Sequence, residues 1–203
     1  IDSLRKLLDN QGLRLRFPDP LEREFQQDYT RRYHSHMLIA GFLGVLAILA
    51  CGVIDPFWIP EQARDLWQLR FMTAIPVLII LMISKTRLAM AYMQPIVAFC
   101  ACLFVACVVG LSLRSITPFN YFYAGSITMV MLVVFVLTRL QFVWGCISAV
   151  VMLAIVNVGY VVIGKVDLKM ITAVNFIALS SAVFSLVGTF LVESGLRQKY
   201  LQA

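Results

Sequence analysis

The chain has 203 residues, of which 61% are hydrophobic and 14% are charged. A soluble domain is nearer half apolar and a quarter charged, and a chain of this size could not hide so much apolar surface in one core. The composition therefore excludes an ordinary soluble protein and indicates a membrane protein. The formal net charge of +6 is accounted for by membrane anchoring, so we expect no nucleic-acid partner.

The first 36 residues are polar and contain no cleavable signal pattern. Leu4, Leu7 and Leu8 have helical spacing, which predicts a short amphipathic helix that stops near Gly12. The stretch LRFPDPLEREF then begins a second helix, for which Asp19 is the expected N-cap. Apolar residues recur every four positions along this leading helix, which should run directly into the first span: Leu21, Phe25, Tyr29 and Tyr33.

Six apolar segments follow, at about 37–54, 69–84, 93–113, 119–138, 142–164 and 170–192. Most of them approach the ~20 residues that are needed to cross a bilayer. Because the connections are short, consecutive helices should be neighbours in a compact bundle. We therefore predict an all-α polytopic membrane protein with six transmembrane helices.

Three parts of the chain are expected to differ in role. Residues 1–36 form an N-terminal helical segment, 37–192 the six-helix transmembrane domain, and 193–203 the start of a signalling helix or coiled coil that continues the sixth span. In the longest loop, the stretch from Gln62 to Leu69 is expected to form a short helix along the membrane surface.

The basic residues predict the orientation. Twelve of the 17 Lys and Arg residues lie on the side of both termini, and five lie on the other side. The positive-inside rule then places both termini in the cytoplasm.

The sequence contains no enzyme signature and no metal motif, so we expect no catalytic residue, metal site or cofactor in this segment. The five cysteines lie inside apolar runs, where a cysteine packs as a small hydrophobe. His34 and His36 are two residues apart, which disfavours a shared ligand geometry on one helix face. Interfacial polar residues are the favoured interpretation, and a haem or metal role is the alternative.

The outer rim of the bundle is the first candidate ligand site, with five residues that could hold a ligand head: Trp67, Arg70, Arg114, Tyr121 and Tyr123. An arginine with aromatic neighbours can bind an anionic head while the apolar bundle accepts a tail. The alternative is structural, with Arg114 snorkelling to lipid phosphates and Arg70 paired with Asp55 or Asp65.

Two asparagines inside the fifth and sixth spans, Asn157 and Asn175, are the second candidate. An amide in lipid must be paired, so both should face the bundle interior, where they bind each other or a ligand. The spans carry no acidic residue apart from Asp55 at one rim, which counts against a proton- or ion-coupled transporter.

The order of these features resembles a known family. The chain combines LRFPDPLEREF, six spans, a D-P-x-x-I-P loop after the first span and E-S-x-L-R-Q-K-Y after the sixth. This is similar to the N-terminal six-helix sensor domain of bacterial membrane-bound nucleotide cyclases, found ahead of GGDEF diguanylate cyclase domains and of class III adenylate cyclase domains.

The resemblance implies a homodimer in the bacterial inner membrane and a receptor-like role for lipids or small lipophilic molecules. It also implies a cytoplasmic output domain in the same polypeptide, with diguanylate cyclase favoured over adenylate cyclase. Such a domain would need Mg and a nucleoside triphosphate. The 203 residues contain no GGDEF-like motif, so this segment cannot itself make a cyclic nucleotide.

Signal transmission is expected just below the sixth span, at Glu193, Gly195, Leu196 and Arg197. Gly195 weakens the helix and is a candidate flexure between sensor and coiled coil. Two other functions remain open from the sequence. A purely structural dimerising anchor should form a packed bundle without an outward pocket, and a small transporter or channel should show a polar path lined by the two asparagines.

Overall fold

The computed structural model describes residues 17–86, 90, 92–115, 119–164 and 166–202. The short amphipathic helix predicted from Leu4, Leu7, Leu8 and Gly12 lies outside this part of the chain, as does Ala203. Six of the basic residues counted for the orientation also lie outside it: Arg5, Lys6, Arg14, Arg16, Arg87 and Lys165. The described residues are helical apart from short turns, which confirms the all-α prediction.

The helices follow one another with short connections: α1 Asp19–Gly52, α2 Asp55–Trp58, α3 Ala63–Ile83, α4 Met93–Arg114, α5 Phe119–Thr138, α6 Phe142–Asn157 with its π-helical continuation Val158–Ile163, and α7 Leu168–Gln202. Within the described residues, six helices are long and apolar enough to cross a membrane. These are α1, α3, α4, α5, α6 and α7. The six predicted spans are therefore confirmed as helices.

The first and last spans are much longer than a bilayer requires. α1 has 34 residues and α7 has 35, so each is about 50 Å long against a hydrocarbon core of about 30 Å. Their extra turns emerge at the same end of the bundle, which we call the terminal end because the described chain begins and finishes there. The other end, with the connection from Gly52 to Ala63, is called the opposite end.

α1 begins one residue earlier than predicted. Pro18 occupies the N-cap position in place of Asp19, and no side chain caps the helix. The Glu22 side chain instead accepts a hydrogen bond of 2.8 Å from the Phe17 N–H. The prediction of Asp19 as the N-cap is therefore wrong, because Asp19 is already the first helical residue.

The predicted surface helix from Gln62 to Leu69 is wrong as a separate element. Its residues form the first turns of α3, which continues to Ile83. The reason is a stripe of buried side chains at helical spacing that begins before the apolar run: Leu66, Arg70, Thr73, Ala74, Val77 and Leu81. The stripe gives the polar stretch a buried face, so the helix is stabilised by packing from its start.

α4 lies at the centre of the bundle, and most of its side chains are buried. It packs against α5 and α6, while α5 also packs along α7. The turn from α5 to α6 is only three residues long, because Arg139 adopts a left-handed conformation with φ of 52°. The Arg139 carbonyl accepts a 2.7 Å hydrogen bond from the Tyr29 hydroxyl, which fixes this turn against α1.

Candidate functional site

A buried polar triad of Asp55, Arg70 and Tyr123 lies at the opposite end of the bundle. Arg70 donates two hydrogen bonds of 3.0 Å to the two carboxylate oxygens of Asp55. The Tyr123 hydroxyl donates a 2.6 Å bond to Asp55 Oδ1, and Arg70 Nη1 donates a 2.6 Å bond to the Ile48 carbonyl. The triad thus joins α1, α2, α3 and α5.

Local structure places these groups. Asp55 opens the short helix α2, directly followed by Pro56, so the chain turns sharply below the end of α1. Gly52 allows the close approach of Arg70, since a Cβ there would lie 2.9 Å from Arg70 Cδ. A larger residue at this position would push the guanidinium away from Asp55.

The charge of Arg70 is neutralised inside the protein. Arg70 is 1% exposed and Asp55 is 2% exposed, and their paired geometry offsets the cost of removing both charges from water. The sequence left open whether Arg70 binds a ligand head or pairs with Asp55 or Asp65. In the structure it pairs with Asp55. The Arg70 guanidinium donates four hydrogen bonds to protein groups, of which the one to Tyr123 is long at 3.5 Å. One of its five N–H groups therefore remains for a ligand.

An apolar groove, called the lateral groove, extends from this triad toward the terminal end. It lies between α1, α4 and α5, has a volume of about 610 Å³ and is bordered by Arg70 and Tyr123 at one end. The volume is within the range of about 300–1,000 Å³ that is typical of small-molecule sites. The groove opens on the outer surface of the bundle, because the lining residue Met129 is 67% exposed.

Small residues leave room for the groove. Gly41 and Gly44 of α1 line it, as do Gly125 and Ser126 of α5. A Cβ at Gly125 would meet no atom within 4 Å, so the space beside it is open. Gly125 therefore leaves open space in the α5 wall, whereas a Cβ at Gly41 or Gly44 of α1 would meet Leu81 at 2.7 Å or Phe104 at 3.1 Å, so these two glycines admit neighbouring side chains.

Three of the five predicted rim residues come together. Arg70, Tyr121 and Tyr123 line the lateral groove. Trp67 is not among the groove residues. Its ring lies beside Gly52, where an added Cβ would be 3.0 Å from it. Arg114 is exposed at the end of α4 and is not among the groove residues.

The two predicted asparagines bind each other. Asn157 donates a 2.8 Å hydrogen bond to Asn175, and Asn175 donates a 3.0 Å bond in return. Each also donates to a carbonyl of its own helix, at Leu153 and Ile171. The pair joins α6 to α7 just before α6 becomes π-helical, and neither residue lines the lateral groove.

A second charged group, called the exit-helix cluster, consists of Glu22, Glu193 and Arg197 at the terminal end. Arg197 binds both carboxylate oxygens of Glu22, at 2.7 and 3.0 Å. It also binds Glu193 on its own helix at 2.8 Å. Arg197 and Glu193 are 2% and 3% exposed, although the sequence places them beyond the sixth span.

Other groups complete this cluster. The second oxygen of Glu193 accepts a 2.6 Å bond from the Phe142 N–H at the start of α6, where the helix dipole favours a negative charge. The Arg197 guanidinium lies 4.4 Å from the Phe25 ring centroid and 5.0 Å from that of Phe17, at cation–π distance. α7 is thereby fixed to α1 and α6.

The predicted transmission residues therefore differ in their surroundings. Glu193 and Arg197 are buried in the cluster, and Leu196 packs partly against the core. Gly195 lies within an unbroken helix, and a Cβ there would meet nothing within 4 Å. The glycine interrupts neither the helix nor the packing of its neighbours.

Sequence reasoning missed Glu22 as the partner of Arg197. A signal was present in α7, where small polar and charged residues recur every four positions, at 181, 185, 189, 193 and 197, along what proves to be its buried face. That register places both charged residues on the inward face. It does not indicate which helix they contact, because Glu22 is 175 residues away.

The histidines and cysteines show no metal geometry. His34 Nε2 lies 2.9 Å from the Ser84 carbonyl oxygen and so joins α1 to the end of α3. Among the residues that the structure describes, no group of three His, Cys, Asp or Glu side chains could hold a metal ion.

The fold and these sites define a multi-pass helical membrane protein with a lateral groove and an exit helix that is fixed by charged contacts. The MASE8 family model matches residues 53–203, so the chain belongs to the MASE8 family, a family of membrane-associated sensory domains. α1 lies wholly outside the matched residues. No curated protein and no solved structure matches the chain.

Proposed function

We propose that the chain is the sensor domain of a dimeric bacterial nucleotide cyclase in the inner membrane, with the terminal end in the cytoplasm. Its ligand is a small lipophilic molecule bound in the lateral groove, and its output is the position of α7. The observation that carries the proposal is the apolar groove of about 610 Å³ that ends at the polar triad. Membership of a sensory domain family supports it.

The ligand head is neutral in this proposal. Arg70 is already paired with Asp55 at two distances of 3.0 Å, so an anionic head would compete with a buried carboxylate for the same donor. A hydroxyl or carbonyl oxygen needs only the remaining guanidinium N–H, because the Tyr123 hydroxyl already donates its proton to Asp55. We therefore favour a fatty alcohol or ketone over a fatty acid.

Two features support a sensor over the alternative functions. A purely structural anchor has no use for a groove that opens on the bundle surface. A transporter would use the intramembrane asparagines for its path, whereas Asn157 and Asn175 are occupied by each other.

The groove can be tested by filling it. Gly125→Leu places a side chain in open space within the groove, and Gly188→Leu on α7 is the matched control, because a Cβ there also meets nothing within 4 Å and Gly188 lies outside the groove. The purified chain in nanodiscs is labelled with a photoreactive C16 alcohol, and competing hexadecanol or palmitate is added. Labels are mapped by mass spectrometry.

The expected result is labelling of α1 and α5 that hexadecanol suppresses better than palmitate. Gly125→Leu should reduce it at least about tenfold, the effect of about 1.4 kcal/mol of lost binding, and the control should leave it unchanged. Equal labelling of both variants would refute the groove as the ligand site.

The output domain is tested separately on the full-length gene product. A GGDEF or class III cyclase domain after residue 203, with activity that depends on Mg and a nucleoside triphosphate, supports the cyclase assignment. Any other output domain contradicts it without bearing on the groove.

A further inference from the structure

A second cavity lies at the terminal end, separate from the lateral groove. It has a volume of about 850 Å³ and is bordered by α1, the start of α4 and the start of α6. No residue borders both cavities. Its lining is charged, amide-rich and aromatic, which differs from the apolar lining of the groove.

The α1 wall of this cavity is a basic strip. Arg23, Gln27, Thr30 and Arg31 follow one another at helical spacing and line the cavity. The two arginines are exposed and are eight residues apart, which corresponds to about 12 Å along the helix. Amide and hydroxyl donors lie between them, so the strip offers several donors and two positive charges to a phosphate group.

The acidic residues of the lining do not cancel this strip. Glu22 already binds Arg197 through both oxygens, so it is engaged in an ion pair of the exit-helix cluster, which keeps a net charge of −1. Asp19 lies one turn before Arg23, at the start of α1. The end of the strip at Arg31 is three helical turns away from Asp19, and an anion can bind there without facing a carboxylate of the lining.

Two aromatic residues place the cavity at the level of lipid headgroups. Tyr92 immediately precedes α4, and Trp144 lies in the first turn of α6. Both are at the boundary where apolar spans begin, which is the position that tyrosine and tryptophan favour in membranes. A cavity at this depth, open beside a basic strip, fits the headgroup of a phospholipid from the adjoining leaflet.

We infer that this cavity is a binding site for the headgroup of an anionic phospholipid, held by Arg23 and Arg31. Glu22, Gln26 and Gln141 form part of its wall and also belong to the contacts that fix α7: Gln26 donates to Glu22 at 2.7 Å, and Gln141 donates to Gln26. A bound headgroup therefore stabilises the arrangement of side chains that holds Arg197. This site does not depend on the proposed ligand of the groove.

The test measures lipid binding to the purified 203-residue chain in detergent micelles. Dioleoyl phosphatidylglycerol is titrated by native mass spectrometry and by thermal shift, with dioleoyl phosphatidylcholine as the neutral lipid and glycerol 3-phosphate as the free anion. The test variant is Arg23→Gln with Arg31→Gln. The matched control is Arg32→Gln, since Arg32 is on the same helix but pairs with Asp28 at 3.4 Å and does not line the cavity.

Phosphatidylglycerol should bind the parent chain and the control alike. The double variant should bind it on the order of thirtyfold more weakly, as expected for two basic side chains at an anionic lipid. Gln27→Glu, which adds a negative charge and removes no contact with Arg197, should also weaken binding. Equal binding by the double variant, or binding of glycerol 3-phosphate as strong as that of the lipid, would overturn the inference.

Discussion

Arg197 is predicted to be the residue of the exit-helix cluster whose loss costs most stability. It is the single cation between two carboxylates, so the three side chains carry a net charge of −1. Arg197→Met leaves Glu193, 3% exposed, and Glu22 close together without a positive partner. Removing one partner of a buried ion pair costs about 3–5 kcal/mol.

Glu22→Gln should cost much less, about 1–2 kcal/mol. Arg197 then keeps its bond of 2.8 Å to Glu193, and the cluster becomes electrically neutral. A glutamine at this position still offers an oxygen to the Phe17 N–H and to Arg197. Arg197→Lys should fall between the two, because it keeps the charge but loses the two-pronged geometry.

The measurement is the free energy of unfolding in micelles, obtained by titration with a denaturing detergent and followed by tryptophan fluorescence. The decisive quantity is the difference in unfolding free energy between Arg197→Met and Glu22→Gln, because both variants are compared with the same unsubstituted chain. If Glu22→Gln destabilised the chain as much as Arg197→Met, the assignment of Arg197 as the central cation would be wrong.

Two further pairs are predicted to behave as units. Arg70→Met alone should cost about 3–5 kcal/mol of stability. The double variant Arg70→Met with Asp55→Leu should recover at least half of this loss, because no unpaired charge remains. Thermal melts of the two variants test this prediction. Asn157→Leu and Asn175→Leu should show a coupling energy of about 1 kcal/mol in a double-mutant cycle, and strictly additive effects would contradict the reciprocal bonds.

Most of the fold was predictable because the apolar segments are long and their connections short. The starts of α4, α5 and α6 agree with the sequence prediction within a residue. The uninterrupted α7 follows from the lack of a breaker after the sixth span. The pairing of Arg70 with Asp55 was one of two alternatives that the sequence offered, because Asp55 lies in the loop between the first two spans and Arg70 lies at the start of the second span.

Contacts between helices that are not consecutive were not predictable in the same way. In a lipid solvent, residues that face lipid are as apolar as those that face the core, so the hydrophobic pattern does not reveal which faces meet. The lateral groove between α1 and α5 depends on such a choice, as does the contact of Glu22 with Arg197. Charged residues near the ends of spans are moreover typical of membrane anchors. The burial of Glu193 and Arg197 was therefore not expected from the sequence.

Both walls of the lateral groove are connected to the exit helix. On one side, α5 packs directly along α7. On the other side, α1 is unbroken from the groove residues to Glu22, which binds Arg197. An occupant that separates α1 from α5 therefore cannot leave both contacts unchanged, because a helix transmits a displacement along its length. In the proposed sensor, the exit-helix cluster is thus where a change in the groove is converted into a change in the position of α7.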